Sequence, residues 1–178
     1  MRAFIALDLP YEIKNFVTVQ LFSLKKMFNY DDIKWVDTQN YHLTFRFFES
    51  VDAKEICQKF GKLKEKLKTI EVKKVIILRE LGFFLNRGKI RIIFLNVEPQ
   101  DFFIQIYDLV RELFGPDKFS PHITVGRVKK NLTEQKEEIL KNFRMEEIIF
   151  EPREVVLFKS ELTPMGPIYN KIDSFYLK

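Results

Sequence analysis

The chain has 178 residues, enough to bury a substantial core in one bilobal unit spanning 1–178, and its 46% hydrophobic and 31% charged content excludes a disordered or fibrous class. Its net charge of +5 biases it modestly toward anionic partners such as RNA, and a single cysteine, Cys57, excludes an internal disulfide framework. No apolar run is long enough to span a bilayer and no signal peptide is evident, so a cytoplasmic protein is expected.

In chain order, residues 2–7 form a short apolar run that reads as a buried strand, and Asp8 and Pro10 supply a helix start. Ile13, Phe16, Val17, Leu21, Leu24 and Phe28 recur at spacings of three and four, predicting a helix over 11–28. Asp31-Asp32 breaks it, 33–36 reads as a short strand, and 41–48 as a longer one. Ile56, Phe60, Leu63 and Leu67 predict a second helix over 53–67, with lysines on its solvated face. Residues 72–85 and 89–97 read as two strands, the first bent near Gly82, joined by a hairpin turn at Asn86-Arg87-Gly88. Pro99 opens a helix to about 114, 121–128 is a strand, and Thr133 caps a helix over 133–142. Strands over 144–150, 154–159 and 169–177 close the chain, with Leu162–Pro167 read as a loop from its Pro and Gly content. Each half runs strand, helix, strand, helix, strands. The expected fold is α+β with two similar lobes, each an antiparallel sheet with helices packed outside, their facing strands lining a central cleft.

One short string occurs twice. Residues 41–46 read Tyr-His-Leu-Thr-Phe-Arg and 121–127 read Pro-His-Ile-Thr-Val-Gly-Arg, and the two copies hold the chain's only histidines, His42 and His122. Side chains alternate across a strand, so His42 and Thr44 share one face and Leu43 and Phe45 the other, as His122 and Thr124 do against Ile123 and Val125. Two histidines flanking a cleft suit phosphodiester chemistry. An ordinary imidazole titrates near pH 6.5, so one can be neutral and take a proton from water while the other is cationic and protonates the leaving oxygen. The Thr hydroxyls can donate to phosphate oxygens, and a guanidinium can neutralise developing charge. Arg127 is the first candidate for that charge, although strict alternation points it away from His122 unless Gly126 bends the strand. Arg46 shares the face of His42 by the same count and is the second. A structural role for two histidines in matched strings is the weaker reading. Two histidines without clustered Cys or carboxylate partners make a poor zinc site, and no P-loop, Rossmann glycine pattern or serine elbow is present. Neither a metal nor a cofactor is expected.

At these residues the chain resembles the two-histidine phosphoesterase superfamily, defined by paired His-x-Thr-x motifs. More narrowly it resembles the RNA 2′,3′-cyclic phosphodiesterases, also called 2′-5′ RNA ligases. The opening Met-Arg-Ala-Phe-Ile-Ala-Leu-Asp-Leu-Pro, Trp35-Val36, Arg91-Ile92-Ile93-Phe94, Leu157–Ser160 and Gly166–Tyr169 carry the narrower likeness. The resemblance implies metal-free hydrolysis of a terminal 2′,3′-cyclic phosphate of RNA to a 2′-phosphate. It makes His42 the proton donor and His122 the acceptor, places Thr44, Thr124 and Arg127 at the phosphate, and adds Arg91 as a further candidate. A monomer acting on RNA ends, with ligation by an RNA 5′-hydroxyl as a companion activity, is expected. An RNA-end-binding protein without turnover and a phosphodiesterase of small cyclic nucleotides are the alternatives. The Leu85-Asn86-Arg87-Gly88 turn departs from relatives that often carry proline there.

Overall fold

Runs rich in β-branched and aromatic residues form nine strands, seen in a computed structural model that describes all of Met1–Lys178. In chain order they are β1 (Ala3–Asp8), β2 (Ile33–Trp35), β3 (His42–Phe48), β4 (Val75–Asn86), β5 (Lys89–Glu98), β6 (Ile123–Val128), β7 (Ile148–Phe150), β8 (Glu154–Thr163) and β9 (Gly166–Tyr176). They pair antiparallel into a four-stranded sheet, β3-β1-β8-β9, and a five-stranded sheet, β2-β6-β5-β4-β7. The two-lobed α+β expectation holds, and each histidine string sits on a strand of a different sheet.

Four helices pack outside: α1 (Tyr11–Lys25), α2 (Ala53–Leu67), α3 (Gln100–Phe114) and α4 (Glu134–Asn142). In α2 the Asp52 carboxylate caps the Glu55 amide, and Ile56, Phe60, Leu63 and Leu67 are fully buried along one stripe. Burying each such side chain stabilises the fold by about 2 kcal/mol, before the entropy of ordering it. Thr133 caps α4 by accepting from the Lys136 amide.

The lobes are not the two halves of the sequence. α2 lies against β9, and α3, from the second half, lies against β3 of the four-stranded sheet. β2, from the first half, pairs with β6 of the five-stranded sheet. The C-terminal hairpin β8–β9 returns to pair with β1. Exchanging elements in this way lets 39 buried apolar residues form one continuous core across both lobes.

The strand expected over 144–150 shortens to β7, with Arg144 keeping only an isolated bridge to Glu80, and two further boundaries move for physical reasons. α1 ends at Lys25, because the chain turns through residues 26–32 and the Asp32 carboxylate accepts from the Asn29 amide. Leu162–Pro167 is no open loop. β8 continues to Thr163 and β9 begins at Gly166, so only Pro164 and Met165 make the turn. This arm projects beyond the sheet, where Pro167 at an edge position gives up no interior ladder bond. The hairpin at Arg87-Gly88 forms as expected, both residues having positive φ (50° and 74°).

Candidate active site

Strict alternation fails at one point in each histidine strand, and the failure decides which side chains meet. β1 pairs Ala6 with Thr44 but Ile5 with Arg46, so Phe45 is an extra residue in β3. β5 pairs Phe94 with Thr124 but Ile93 with Gly126, so Val125 is the extra residue in β6. Both are β-bulges, and both fall directly after the Thr of the repeated string. Each shifts the count by one, so the residue five places after the histidine returns to its face. That residue is Phe47 in the first copy and Arg127 in the second. One cleft of about 880 Å³ is lined by His42, Thr44 and Phe47 from one sheet and His122, Thr124 and Arg127 from the other.

Each imidazole is aimed by the backbone just before it. His42 Nδ1 lies 2.7 Å from the Asn40 carbonyl and His122 Nδ1 lies 2.6 Å from the Ser120 carbonyl. A carbonyl only accepts, so both Nδ1 atoms carry the proton and both Nε2 atoms present a lone pair. His42 Nε2 accepts from the Thr44 hydroxyl at 2.9 Å. Phe4, Phe158 and Tyr169 close around His42, with ring centroids 4.8, 6.4 and 5.4 Å away. Phe84 and Phe94 flank His122 at 4.8 and 5.1 Å. The Phe94 ring reaches that place only because residue 82 is glycine; a Cβ there would fall 2.1 Å from it.

These apolar walls penalise the imidazolium. Burial pushes the His42 ring down from its ordinary value to about 4, the Asn40 hydrogen bond and Asp8 opposing this and the Lys14 and Arg127 cations reinforcing it. Burial lowers His122 as well, the Ser120 hydrogen bond opposing and Arg127 reinforcing it. At neutral pH the free protein therefore holds two neutral bases, not the one neutral and one cationic ring that ordinary values suggest. A carboxylate stands behind only one of them. Asp8 is the register partner of His42 on β1 and is ion-paired to Lys14 at 2.7 Å and Lys171 at 3.1 Å.

The three arginine candidates part company. Arg127 lies in the cleft with no carboxylate within 4.0 Å. Arg46, turned by the Phe45 bulge, lies outside the cleft lining and binds Asp117 at 3.0 Å and the Pro116 carbonyl at 2.9 Å. Arg91 also lies outside it, donating to Asn131. Gly126 does not supply the bend; it admits Trp35, whose ring would lie 3.0 Å from a Cβ there. Phe4 and Tyr169, which enclose His42, carry no spacing signal and are brought in by β1 and by the C-terminal hairpin. No group of three or more His, Cys, Asp or Glu side chains is placed to hold a metal ion.

A family model described as LigT like Phosphoesterase matches residues 13–94 and 97–169, one copy of the repeated string in each segment. The chain belongs to the LigT-like phosphoesterases. A Methanocaldococcus jannaschii relative named RNA 2′,3′-cyclic phosphodiesterase is 32% identical over 179 residues, 97% of this chain and 98% of its own. A Thermotoga maritima relative of the same name is 31% identical over 95% of this chain and 91% of its own. Among solved structures, a Thermus thermophilus protein superposes with a TM-score of 0.74 at 26% identity, covering 99% of this chain and 98% of that one. Escherichia coli LigT complexed with ATP has the same fold, with a TM-score of 0.77 at 22% identity over 99% of this chain and 97% of that one. In this LigT-like chain, no helix is long and apolar enough to cross a membrane.

Proposed function

We propose that this LigT-like phosphoesterase hydrolyses the terminal 2′,3′-cyclic phosphate of RNA to a 2′-phosphate, using His42 and His122 as acid and base. The observation that carries the proposal is the pair of imidazoles on opposite walls of one cleft. Each has Nδ1 tied to a backbone carbonyl, which leaves Nε2 for proton transfer, and a Thr two residues on shares its face; in the free protein the Thr44 hydroxyl occupies His42 Nε2.

His122 Nε2 takes a proton from water as the water oxygen bonds to phosphorus. The P–O3′ bond breaks on the opposite side, and O3′ takes the proton from His42 Nε2. The two imidazoles finish with their protonation states exchanged and reset through solvent. The Thr44 and Thr124 hydroxyls donate to the nonbridging oxygens, and Arg127 balances the charge that builds there. His42 must be cationic to give up a proton, and the bound phosphate anion supplies the field that charges it. The Asp8 carboxylate behind His42 favours that imidazolium and has no counterpart at His122, while the Arg127 cation opposes protonation of both rings. Asp8 supports His42 as donor and His122 as acceptor, against the deeper burial of His42, which favours its neutral form until the substrate anion binds.

The test is release of a 2′-phosphate from an oligonucleotide ending in 2′,3′-cyclic phosphate, with EDTA present throughout. His42→Ala and His122→Ala are each expected to lower kcat by about 10²–10⁴. Near-wild-type turnover by either variant would remove the acid–base assignment. Tight binding of the RNA end without turnover by the wild type would leave an end-binding protein instead.

A further inference from the structure

The cleft does not stop at the histidines. Lys34 of β2 is the register partner of Arg127 on β6, and both side chains line the cleft. Two like charges directly opposite on neighbouring strands repel. Neither has a carboxylate within 4.0 Å, and Asp37 is the one acid in a lining that also holds Arg2 and Lys25. With Arg127 turned to the reacting phosphate, Lys34 beside it is a cation still without an anionic partner.

Beyond Lys34 the lining continues onto the turn between α1 and β2, where Tyr30 is 80% exposed. That turn is fastened rather than loose. The Asp32 carboxylate, almost wholly buried, accepts from Lys136 Nζ at 2.6 Å and from the Asn29 amide at 3.1 Å. The Lys129 amide donates to the Asp32 carbonyl at 2.8 Å. One face of the Tyr30 ring carries the Lys129 ammonium, 3.7 Å from its centroid. The backbone of the turn is therefore held, and the Tyr30 ring lies at the cleft mouth with one face against Lys129 and its remaining surface open. An unpaired cation beside the reacting-phosphate site, followed by an exposed aromatic plate, is the pattern by which single strands are held without sequence readout.

Building on the RNA-end hydrolysis proposed above, we propose that Lys34 and Tyr30 form a second nucleotide subsite, Lys34 binding the phosphodiester 5′ to the reacting nucleotide and Tyr30 stacking the next base. The preferred substrate is then a strand of at least two nucleotides rather than a cyclic mononucleotide, and base identity at that position matters little. A volume of about 880 Å³ lies toward the upper end of the range for small-molecule pockets, in keeping with more than one nucleotide.

The experiment compares wild type, Tyr30→Ala, Tyr30→Phe and Lys34→Met. Each is assayed for hydrolysis of a nucleoside 2′,3′-cyclic monophosphate and of a dinucleotide ending in the same group. Affinity for the corresponding 3′-phosphorylated mono- and dinucleotide is measured in parallel. Tyr30→Ala should lose roughly tenfold in kcat/KM and in affinity on the dinucleotide while leaving the mononucleotide unchanged, and Tyr30→Phe should retain wild-type values. Lys34→Met should weaken the dinucleotide selectively and flatten its salt dependence. Equal losses on both lengths, or less than a twofold loss on the dinucleotide, would overturn the subsite. If the wild type hydrolyses neither compound, the cyclic phosphodiesterase reading falls, while the difference in affinity between the two lengths still decides the subsite.

Discussion

The two walls of the cleft start from the same string and end differently. Both place His and Thr on the cleft face, both aim Nδ1 at a carbonyl two residues back, and both carry a bulge after the Thr. The wall from the four-stranded sheet then offers Phe47 where the other offers Arg127. It encloses its histidine in three aromatic rings and sets a carboxylate behind it. The wall from the five-stranded sheet leaves its histidine more open and without a carboxylate, and its Arg127 acts on both rings. Duplicated backbone geometry supplies two proton-transfer groups, and the unmatched neighbours give them unequal electrostatics. A symmetric pair would have no means of deciding which ring gives and which takes.

The sharpest way to break that comparison is to exchange what differs. Arg127→Met removes the one guanidinium of the string that reaches the cleft. It is expected to lower kcat on a cyclic-phosphate substrate by about 10²–10³, as loss of a transition-state donor does elsewhere. Phe47→Leu, at the matching place on the other wall, should change kcat by no more than a few-fold. If the two substitutions cost the same, the walls are functionally equivalent and the inequality is decorative.

The second test reads the electrostatics. Because burial holds both rings below pH 6.5 in the free protein, the singly protonated pair is a minority form at neutral pH. Above the higher of the two values its fraction falls tenfold per pH unit, so kcat/KM should decline from below pH 6.5 upward. A bound phosphate anion raises the cationic form, so the kcat profile should lie at higher pH than the kcat/KM profile. A kcat/KM optimum above pH 7, or coincident profiles, would contradict the burial argument.

These differences mark where sequence stops being legible. Helix α2 could be placed from its apolar spacing alone, since the stripe that the spacing marks is the stripe the fold buries. The His and Thr positions were equally readable, because alternation needs only the strand. The exchange of elements between lobes was not, since β2 and the β8–β9 hairpin choose their sheet by long-range pairing that no local spacing encodes. Nor were the bulges. They add one residue without a glycine at the bulged position, Phe45 or Val125, and so leave no compositional trace. Tyr169 arrives opposite His42 through a strand that begins far along the chain.

The bulges make the smallest predicted effect the most discriminating one. Arg46 and Arg127 are the arginines of the two copies, and by simple alternation Arg46 is the one on its histidine's face. The structure reverses this: the extra residue Phe45 turns Arg46 toward Pro116 and Asp117, a partly exposed ion pair beside α3. Such a pair contributes well under about 1 kcal/mol to stability. Arg46→Met should therefore leave kcat and KM for a cyclic-phosphate substrate within about twofold of wild type, with a slight loss in the urea midpoint. A loss approaching that of Arg127→Met would mean that β3 runs unbulged past the histidine in the working protein. It would then place Arg46, not Phe47, across the cleft from Arg127.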